Sequence, residues 1–418
     1  MYFKEIIKQF ENTERILELN LTNTEHLYKI QKLADTIYKE SKSLDEIIAL
    51  ETDMLNDKNN FSLTSHLAVK IAKSKQILSE IKEKIHLTII FSVYKDKNRL
   101  LTKEEHPQGE DFLLKKIQQI ESLTSDFNNI SWDMLIVDDG CPENSGKVAS
   151  EILNEKYNEN NVEVLFLQDA IDQKLEVVKN LKSTGDSIKG GAIEYGMWYA
   201  VNKNIKNHII ISTSANLNTH LGQSGLLINS IINNNKKVAI ASRTEPESIV
   251  KNDITRDLNR KLFIYLWKRV INRLNYIIDT QCDFKAYKSE TIKKIILNNY
   301  EYKLAYNFEL LLKTDILERR SIEVVPIAWI NNTKTIEDNK QYIDMLKAIT
   351  KMYHKYLPAH ADAHLFAFFI KALTQKEWDI LIEHIPEGIQ IKSPKHYDIY
   401  TEITTEDFEN ILNKYSLN

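Results

Sequence analysis

Short apolar runs alternate with longer helix-like stretches through the middle of this chain, and this alternation most constrains its fold. The runs are rich in β-branched and aromatic residues, which is typical of strands buried on both faces of a parallel sheet. They occupy residues 87–93, 132–137, 162–167, 208–211 and 237–241, and later 284–287 and 322–329. Helix-like stretches near 111–124, 145–158, 189–204 and 221–234 lie between them. The alternation predicts an α/β domain with a mostly parallel sheet and helices on both faces.

Both flanks of this region lack the alternation and are predicted to be helical. Residues 1–84 contain neither glycine nor proline, and Asn23 and Ser43 precede two apolar-periodic stretches as helix caps would. Beyond residue 333, helices are predicted near 338–356, 360–373 and 375–383. We therefore expect a helical region over 1–84, the α/β domain over 85–332 and a mainly helical region over 333–418. The helical extensions could also pair two copies into a homo-oligomer.

Charge and cysteine content exclude several classes of protein. The 418 residues include 55 Lys and Arg against 59 Asp and Glu, a net charge of −4, so a nucleic-acid partner is not expected. Two cysteines, Cys141 and Cys282, exclude a disulfide framework and favour a reducing compartment. No apolar run is long enough to span a bilayer. We expect a cytoplasmic protein, and the apolar run 365–373 leaves binding to the inner face of a membrane open.

Polar segments that follow the predicted strands are the places to look for a ligand site. Eight of the ten glycines lie between residues 140 and 225, where sharp turns or close approach to a bound molecule would require them. Asp138 and Asp139 follow the second run, although turn formation and helix capping would explain them equally well. The segment 183–192, with Lys189 and Gly190 before a helix, could cradle a phosphate, but it is not a Walker motif.

The order of these segments resembles the family 2 glycosyltransferases of GT-A fold, and among them the dolichyl-phosphate mannose synthase-like branch. The similar segments are 136–140, 189–192, 241–243, 259–260, 279–286, 307–311 and 323–327. Together they cover about 86–332. Each segment is weakly specific by itself, and the shared order carries the resemblance.

The resemblance implies a nucleotide-sugar donor, such as a UDP- or GDP-sugar, and assigns residues to it. Ser92, Tyr94 and Asp138 would hold the base and ribose. The rest of the donor site would be formed by Asp139, Lys189, Gly190, Ser214, Asn216, Arg243 and Gln281. Glu309 would be the catalytic base, with Asp279 as the rival candidate.

One departure from the family concerns the metal. The Asp-x-Asp motif that holds a divalent cation is replaced by Ser214-Ala215-Asn216, and neutral oxygens are poor substitutes for the carboxylates that Mg²⁺ prefers. No metal ligand is therefore predicted, although Mg²⁺ or Mn²⁺ could still arrive with the donor, recruited by Asp138 or Asp139. Lys189, Arg243, Arg256 or Arg260 could instead neutralise the leaving diphosphate.

Two functions remain open from the sequence. The first is an inverting glycosyltransferase with weak or no metal dependence, acting on a saccharide, lipid phosphate, small molecule or protein. The second is a catalytically inactive GT-A pseudo-enzyme that binds a nucleotide, a sugar or a protein. His360 and His364 stand four residues apart, as zinc ligands on a helix can, but an ordinary packed or solvated helix is the favoured interpretation.

Overall fold

The chain forms two compact units. The computed structural model describes residues 2–251, 257–331, 339–397 and 403–415. The first unit comprises Met1–Asn252, Cys282–Tyr302 and Ser321–Thr333. The second comprises Asp253–Gln281, Lys303–Arg320 and Lys334–Asn418. The chain therefore leaves the first unit and returns to it twice before its last segment.

A seven-stranded sheet forms the core of the first unit. The strands of this sheet and of a separate two-stranded pair are, in chain order, β1 Ile85–Val93, β2 Ile130–Asp138, β3 Val162–Phe166, β4 His208–Ser212, β5 Val238–Ser242, β6 Ile249–Val250, β7 Lys285–Lys288, β8 Ile322–Pro326 and β9 Ala328–Trp329. The sheet order is β3-β2-β1-β4-β7-β5-β8, and β6 pairs with β9 separately. Every neighbouring pair is parallel except those of β7, which is antiparallel to both β4 and β5. The predicted fold class, an α/β domain with a mostly parallel sheet, is confirmed.

Helices account for most of the remaining described chain. They are α1 Tyr2–Thr13, α2 Thr24–Glu40, α3 Leu44–Asn56, α4 Leu63–Glu80, α5 Lys97–Leu100, α6 Phe112–Thr124, α7 Ser145–Lys156, α8 Leu167–Asp172, α9 Gly190–Asn202, α10 Ser224–Ile232, α11 Leu258–Val270, α12 Ser289–Ile295, α13 Tyr306–Leu317, α14 Asn339–Tyr356, α15 Ala361–Ala372, α16 Gln375–Glu383, α17 Glu387–Ile391 and α18 Thr405–Tyr415. Helices α11 and α13–α18 belong to the second unit, and the others to the first.

The amino-terminal helices begin where the sequence predicts caps. The Asn23 side chain accepts hydrogen bonds from the backbone of Glu25 and His26, and Ser43 Oγ accepts one from Glu46 N. Capping side chains satisfy N–H groups that have no partner within the helix. The predicted helical character of residues 1–84 is therefore confirmed.

Helix α4 joins these helices to the sheet unit. It packs against α2 and α3 and also against α10, and its side chains are buried around most of the helix. The contact with α10 is close, because a Cβ on Gly225 would lie 2.4 Å from the Ser74 carbonyl oxygen. Residues 1–84 thus share a compact unit with the strands. The predicted domain boundaries at 84 and 332 stay a prediction, since the compact units divide the chain differently.

The second unit has a helical core of its own. Helix α11 packs against α14 and α15, and its Trp267 is fully buried with its ring 5.1 Å from that of Phe308. Trp378 is also fully buried, and its indole N–H donates to Asn259 Oδ1 at 2.9 Å. Large aromatic side chains contribute much of the buried apolar area in such a core. The predicted helices of the carboxyl-terminal region are present in this unit.

Candidate donor-binding site

A pocket opens at the carboxyl ends of β1, β2 and β4 in the first unit. Parallel strands end at the same edge of a sheet, so the residues that follow them are brought together there. The cavity has a volume of about 570 Å³, within the range of small-ligand sites. Its lining consists of Ser92, Tyr94, Asp96, Arg99, Asp139, Gly140, Thr184, Gly185, Ser187, Ile188, Lys189, Ser214, Ala215 and Asn216. Six of the ten predicted donor-site residues are in this lining: Ser92, Tyr94, Asp139, Lys189, Ser214 and Asn216.

Asp138 organises the turn after β2. Its Oδ1 accepts a hydrogen bond from Cys141 N at 2.8 Å, and its Oδ2 accepts one from Gly146 N at 2.7 Å. Both carboxylate oxygens are thus engaged by the backbone that leads into α7, and Asp138 is not in the pocket lining. These contacts favour the turn-forming interpretation of Asp138, while its predicted role in holding base and ribose stays a prediction.

Asp139, the next residue, is in the pocket lining. It is only 5% exposed, and its Oδ2 accepts a hydrogen bond from Lys189 N at 2.7 Å. Its Oδ1 is buried and has no hydrogen-bond partner in the part of the chain that the structure describes. Burial raises the pKa of this carboxyl group above its usual value, and the hydrogen bond from Lys189 N only partly opposes it. Asp139 therefore holds the backbone of Lys189 and retains an acceptor that a ligand could use.

Gly140 follows Asp139 in the pocket lining and has a left-handed backbone conformation that favours glycine. Its φ is +75°, and a Cβ at this position would lie 2.3 Å from the Thr184 side chain. Any other residue would combine left-handed backbone strain with a steric clash. Gly140 thereby lets the β2–α7 turn approach the 184–186 turn, which also contributes to the pocket lining.

Lys189 is held at both its backbone and its side chain. It precedes α9 with a φ of +73°, an uncommon conformation for a residue other than glycine. Its ammonium nitrogen lies 2.5 Å from Asp283 Oδ2 and 3.3 Å from Ser214 Oγ. Ser214 Oγ in turn donates to Asp283 Oδ2 at 3.2 Å. These three residues, which we call the Lys189 triangle, place a fixed cation at the end of β4.

Asp283 carries the negative charge of the triangle. Burial alone would raise its pKa, but the neighbouring Lys189 and Lys285 ammonium groups outweigh burial and hold the pKa below its ordinary value. Its backbone is fixed too, because Ser212 Oγ donates to the Asp283 carbonyl at 2.9 Å. Asp283 is a residue of the site that the sequence does not predict, although it lies within the segment 279–286 that carries the resemblance.

A second lysine lies behind the loop that follows β4. Lys116 of α6 is completely buried, and its Nζ lies 3.0 Å from the Asn216 carbonyl oxygen. Burial, helped by the nearby positive charges of Arg99 and Lys189, lowers the Lys116 pKa to about 7. No carboxylate forms an ion pair with Lys116 within the described ranges. Arg99, in contrast, pairs with Asp96 and Glu110 at 2.5 and 2.8 Å.

The described residues at the end of β4 offer few ligands to a divalent cation. No group of three or more His, Cys, Asp or Glu side chains among the described residues could hold a metal ion. Asp283, the acidic group nearest Ser214, is already paired with Lys189. At about 4 Å and an effective dielectric of 20, two unit charges repel by about 4 kcal/mol, and a divalent ion near Lys189 would double that. The absence of metal ligands at Ser214 and Asn216 stays a prediction.

Besides Asp138, two predicted residues of the first unit lie outside the pocket lining. Gly190 is the first residue of α9, directly after Lys189. Arg243 follows β5, and its guanidinium lies 5.1 Å from the centre of the Trp329 ring. Their assignment to a donor site stays a prediction.

The remaining predicted residues belong to the second unit. Asp279 is 1% exposed, and its Oδ1 lies 2.9 Å from Arg260 Nη2. Gln281 Nε2 donates to Thr280 Oγ1 at 3.3 Å. Glu309 is fully buried and accepts a hydrogen bond from the Tyr356 hydroxyl. Their predicted catalytic and binding roles stay predictions, and Arg256 lies outside the described residues.

The histidines of the second unit do not form a metal centre. His360 and His364 are both exposed, and the His364 ring lies 5.6 Å from that of His354. No third ligand joins them in the described part of this unit. The contacts agree with the interpretation of an ordinary solvated helix.

Comparison with known proteins adds a relationship. No family model matches the chain. It is 25% identical over 259 residues to a dolichyl-phosphate beta-glucosyltransferase of Trichomonas vaginalis, which covers 59% of this chain and 67% of the relative. It is 23% identical over 260 residues to the dolichyl-phosphate beta-glucosyltransferase of Saccharomyces cerevisiae, with the same two shares. The chain is related to glycosyltransferases. This level of the prediction is confirmed, whereas the mannose synthase-like branch and the replacement of the acidic motif stay predictions.

Solved structures show a more distant likeness. The glucosyl-3-phosphoglycerate synthase of Mycobacterium tuberculosis, in complex with Mn²⁺, UDP-glucose and glycerol 3-phosphate, aligns with 69% of this chain and 85% of its own. The TM-score is 0.44 and the sequence identity 10%. The same protein with Mg²⁺ and UDP gives a TM-score of 0.44 and 8% identity. At these values the likeness supports no statement about ligands of this chain.

Proposed function

We propose that this protein transfers a hexosyl group from a nucleoside diphosphate sugar to a lipid phosphate, with inversion at the anomeric carbon. The observation that carries the proposal is the pocket at the strand ends, which gathers six predicted donor-site residues around a fixed lysine. The relationship to dolichyl-phosphate beta-glucosyltransferases supports both the reaction and the acceptor class. Glucose is accordingly the first sugar to test.

The pocket offers complementary groups to a donor. Tyr94 is half-exposed at the end of β1, where its ring can stack on a base. The unpartnered oxygen of Asp139 can accept a hydrogen bond from the nucleoside, and Lys189 can face the diphosphate. In the reaction, the acceptor oxygen bonds to the anomeric carbon while the bond to the nucleoside diphosphate breaks. A nearby cation stabilises the negative charge that develops on the leaving group.

The acceptor class decides whether a catalytic base is needed. A phosphate monoester has a second pKa near 6, so at neutral pH its oxygen is largely deprotonated before it attacks. A hydroxyl acceptor would instead require a base, and Glu309 and Asp279 are our two candidates for that role. Asp279 is paired with Arg260, whose Nη2 lies 2.9 Å from Asp279 Oδ1.

A transfer assay tests the function. Purified protein is incubated with radiolabelled UDP-glucose, and separately GDP-mannose, together with polyprenyl phosphate in detergent, and the lipid product is extracted and counted. We expect glycolipid to form and free nucleoside diphosphate to appear in equal amount. Nucleotide binding without any transfer or hydrolysis, for every donor and acceptor tried, would instead support the pseudo-enzyme.

A lipid acceptor would require contact with a membrane surface. In the described residues, no helix is both long enough and apolar enough to cross a membrane. Helix α15 exposes Leu365 and Phe368, 57% and 72% accessible, three residues apart on one face. We propose that this face rests on the lipid surface. The protein should float with liposomes, and Leu365→Ser with Phe368→Ser should reduce the floating fraction. Leu317→Ser, at an exposed leucine of α13, is the matched control.

A further inference from the structure

We infer that the Lys189 ammonium, held by Asp283 and Ser214, binds the donor diphosphate directly and takes the place of a divalent cation in this pocket. The inference rests on the proposed function for the identity of the ligand. It selects Lys189 from the four cations that could neutralise the leaving diphosphate, and it gives Asp283 a positioning role that the resemblance does not supply.

The geometry fixes the cation from three directions. The backbone N–H of Lys189 is bound by Asp139, and its side chain is bound by Asp283 and Ser214. Lysine ordinarily loses considerable rotamer freedom when it binds a ligand. Here that freedom is already lost, so a diphosphate that enters the pocket meets a preorganised charge. In this respect the lysine resembles a divalent cation that is held in place by fixed oxygen ligands.

Two lysines lie beside the loop that follows β4. Lys116 lies directly behind Asn216 and adds positive charge under the same loop. Asp283 and Ser214 are the groups that could otherwise ligate a metal, and both are bonded to Lys189. A metal that bound here would displace the lysine from its acceptors. A diphosphate oxygen, in contrast, can accept from the ammonium while Asp283 continues to position it, since an ammonium group has three N–H donors.

Asp283 also explains how a lysine can remain charged and fixed in a partly closed pocket. The Lys189 side chain is 23% exposed, and that of Asp283 is 24% exposed. An unpaired ammonium would seek solvent and sample many conformations. The carboxylate holds it in one conformation, next to the position where the resemblance places a metal ion.

Calorimetric titration in EDTA tests the inference with wild-type protein. The probes are UDP against uridine, and GDP against guanosine, so that the ratio of the two affinities isolates the diphosphate. For one of the two bases, uracil or guanine, we expect the nucleoside diphosphate to bind more tightly than the nucleoside. That ratio should change less than about twofold when Mg²⁺ or Mn²⁺ replaces EDTA. Diphosphate binding that requires a divalent cation would overturn the inference, and so would failure of every nucleotide to bind.

Single substitutions test whether the preference for the diphosphate depends on Lys189. Lys189→Met should reduce the ratio of diphosphate to nucleoside affinity by about 10- to 100-fold, as expected for loss of a charged hydrogen bond. Lys189→Arg should retain most of the ratio, and Lys147→Met, at an exposed lysine of α7, should leave it unchanged. A wild-type ratio in Lys189→Met, with circular dichroism showing a folded protein, would contradict the inference.

The transfer assay separates this inference from the proposed function. Transfer that occurs only with Mg²⁺ or Mn²⁺ would overturn the inference and leave the function standing. The expected affinity ratio in EDTA without any sugar transfer would support the inference and remove the function.

Discussion

Lys116 is the residue at which stability and ligand binding are expected to conflict. Its ammonium is fully buried, and no carboxylate pairs with it in the described residues. Desolvating a charge without a partner destabilises the folded state. Because the same charge lies behind Asn216, it also adds to the positive potential of the pocket. The buried charge therefore lowers the free energy of unfolding relative to a neutral side chain at this position.

Replacing Lys116 with Met should therefore raise the free energy of unfolding by about 1–3 kcal/mol and weaken UDP or GDP binding several-fold. The pH dependence follows from the lowered pKa. Between pH 7 and the unfolded value of 10.5, the unfolded chain binds the proton more readily, so wild-type stability should rise with pH. Urea denaturation at pH 7 and pH 9 measures this rise. An equal rise in Lys116→Met would show that another group causes it.

Ser214 and Asn216 are the positions at which a metal site can be restored. Ser214→Asp with Asn216→Asp would place two carboxylates beside Asp283, an oxygen-rich set suited to a divalent cation. We expect the double variant to melt at a lower temperature in EDTA, because like charges repel. Mn²⁺ should raise its melting temperature by several degrees through binding to the folded state. The wild type and the neutral control Ser214→Asn should show no such rise, and a rise in either would mean that a cation site already exists.

At the scale of single elements, helix α4 contains the most deeply buried ion pair of the amino-terminal region. Lys70 is 2% exposed, and its Nζ lies 2.7 Å from Glu51 Oε1 on α3. Lys73 binds the other oxygen of Glu51 at 2.6 Å. Burial would raise the Glu51 pKa, but the two lysines outweigh burial and lower it. Removing Glu51 would thus leave the Lys70 ammonium buried without an ion-pair partner.

Glu51→Gln should consequently cost about 3–5 kcal/mol of folding free energy, because it leaves the Lys70 charge buried and unpaired. The double variant Glu51→Leu with Lys70→Met should be nearly neutral or more stable than the wild type. Chemical denaturation of the wild type and both variants gives the comparison. If the single and double variants lose equal stability, the cost comes from packing and not from the unpaired charge.

At the scale of the whole molecule, two buried histidines should make the protein sensitive to mild acid. Burial, with a smaller contribution from His86, lowers the pKa of His208 to about 4. Burial, helped by the Lys116 charge, lowers that of His220 to about 3. In the unfolded chain both groups take up a proton near 6.5. Below that pH the unfolded state binds more protons, so stability falls.

Between pH 6.5 and 4 each histidine should reduce the free energy of unfolding by up to about 1.4 kcal/mol per pH unit. His220→Asn retains an acceptor for the Gly222 N–H, which His220 Nδ1 binds at 3.0 Å, and removes the titration. The slope of stability against pH should therefore become shallower in this variant, as measured by urea denaturation at several pH values. An unchanged slope would show that His220 is protonated in the folded protein.

The sequence predicts the edge of the sheet on which the site lies, because strand periodicity and chain order determine which loops meet. Ser92, Tyr94, Asp139 and Lys189 are brought together for that reason. The sequence does not predict how neighbouring side chains divide their roles. Asp138 and Asp139 are adjacent carboxylates, and only their positions in the turn direct Asp138 to the backbone of its own turn and Asp139 to Lys189 N and the pocket.

Partners distant in sequence were the hardest to predict. Asp283 and Lys189 are 94 residues apart, and Lys116 and Asn216 are 100 residues apart. Neither spacing follows a helix or strand period, so no local sequence pattern predicts these two contacts. The burial of Lys116 is equally hidden, because a lysine on an amphipathic helix is ordinarily exposed.

The reversed direction of β7 has a consequence for how this protein could diversify. The parallel strands bring their final residues to the rim of the pocket, whereas β7 brings the residues that precede its first one. Asp283 arrives there by a route that shares no loop with Tyr94, Asp139 or Ser214. A single mutation just before β7 could therefore alter the counter-charge beside the lysine while the loops that carry Tyr94, Asp139 and Ser214 stay intact. Evolution, or a protein engineer, could change the charge of this pocket there without redesigning its other walls.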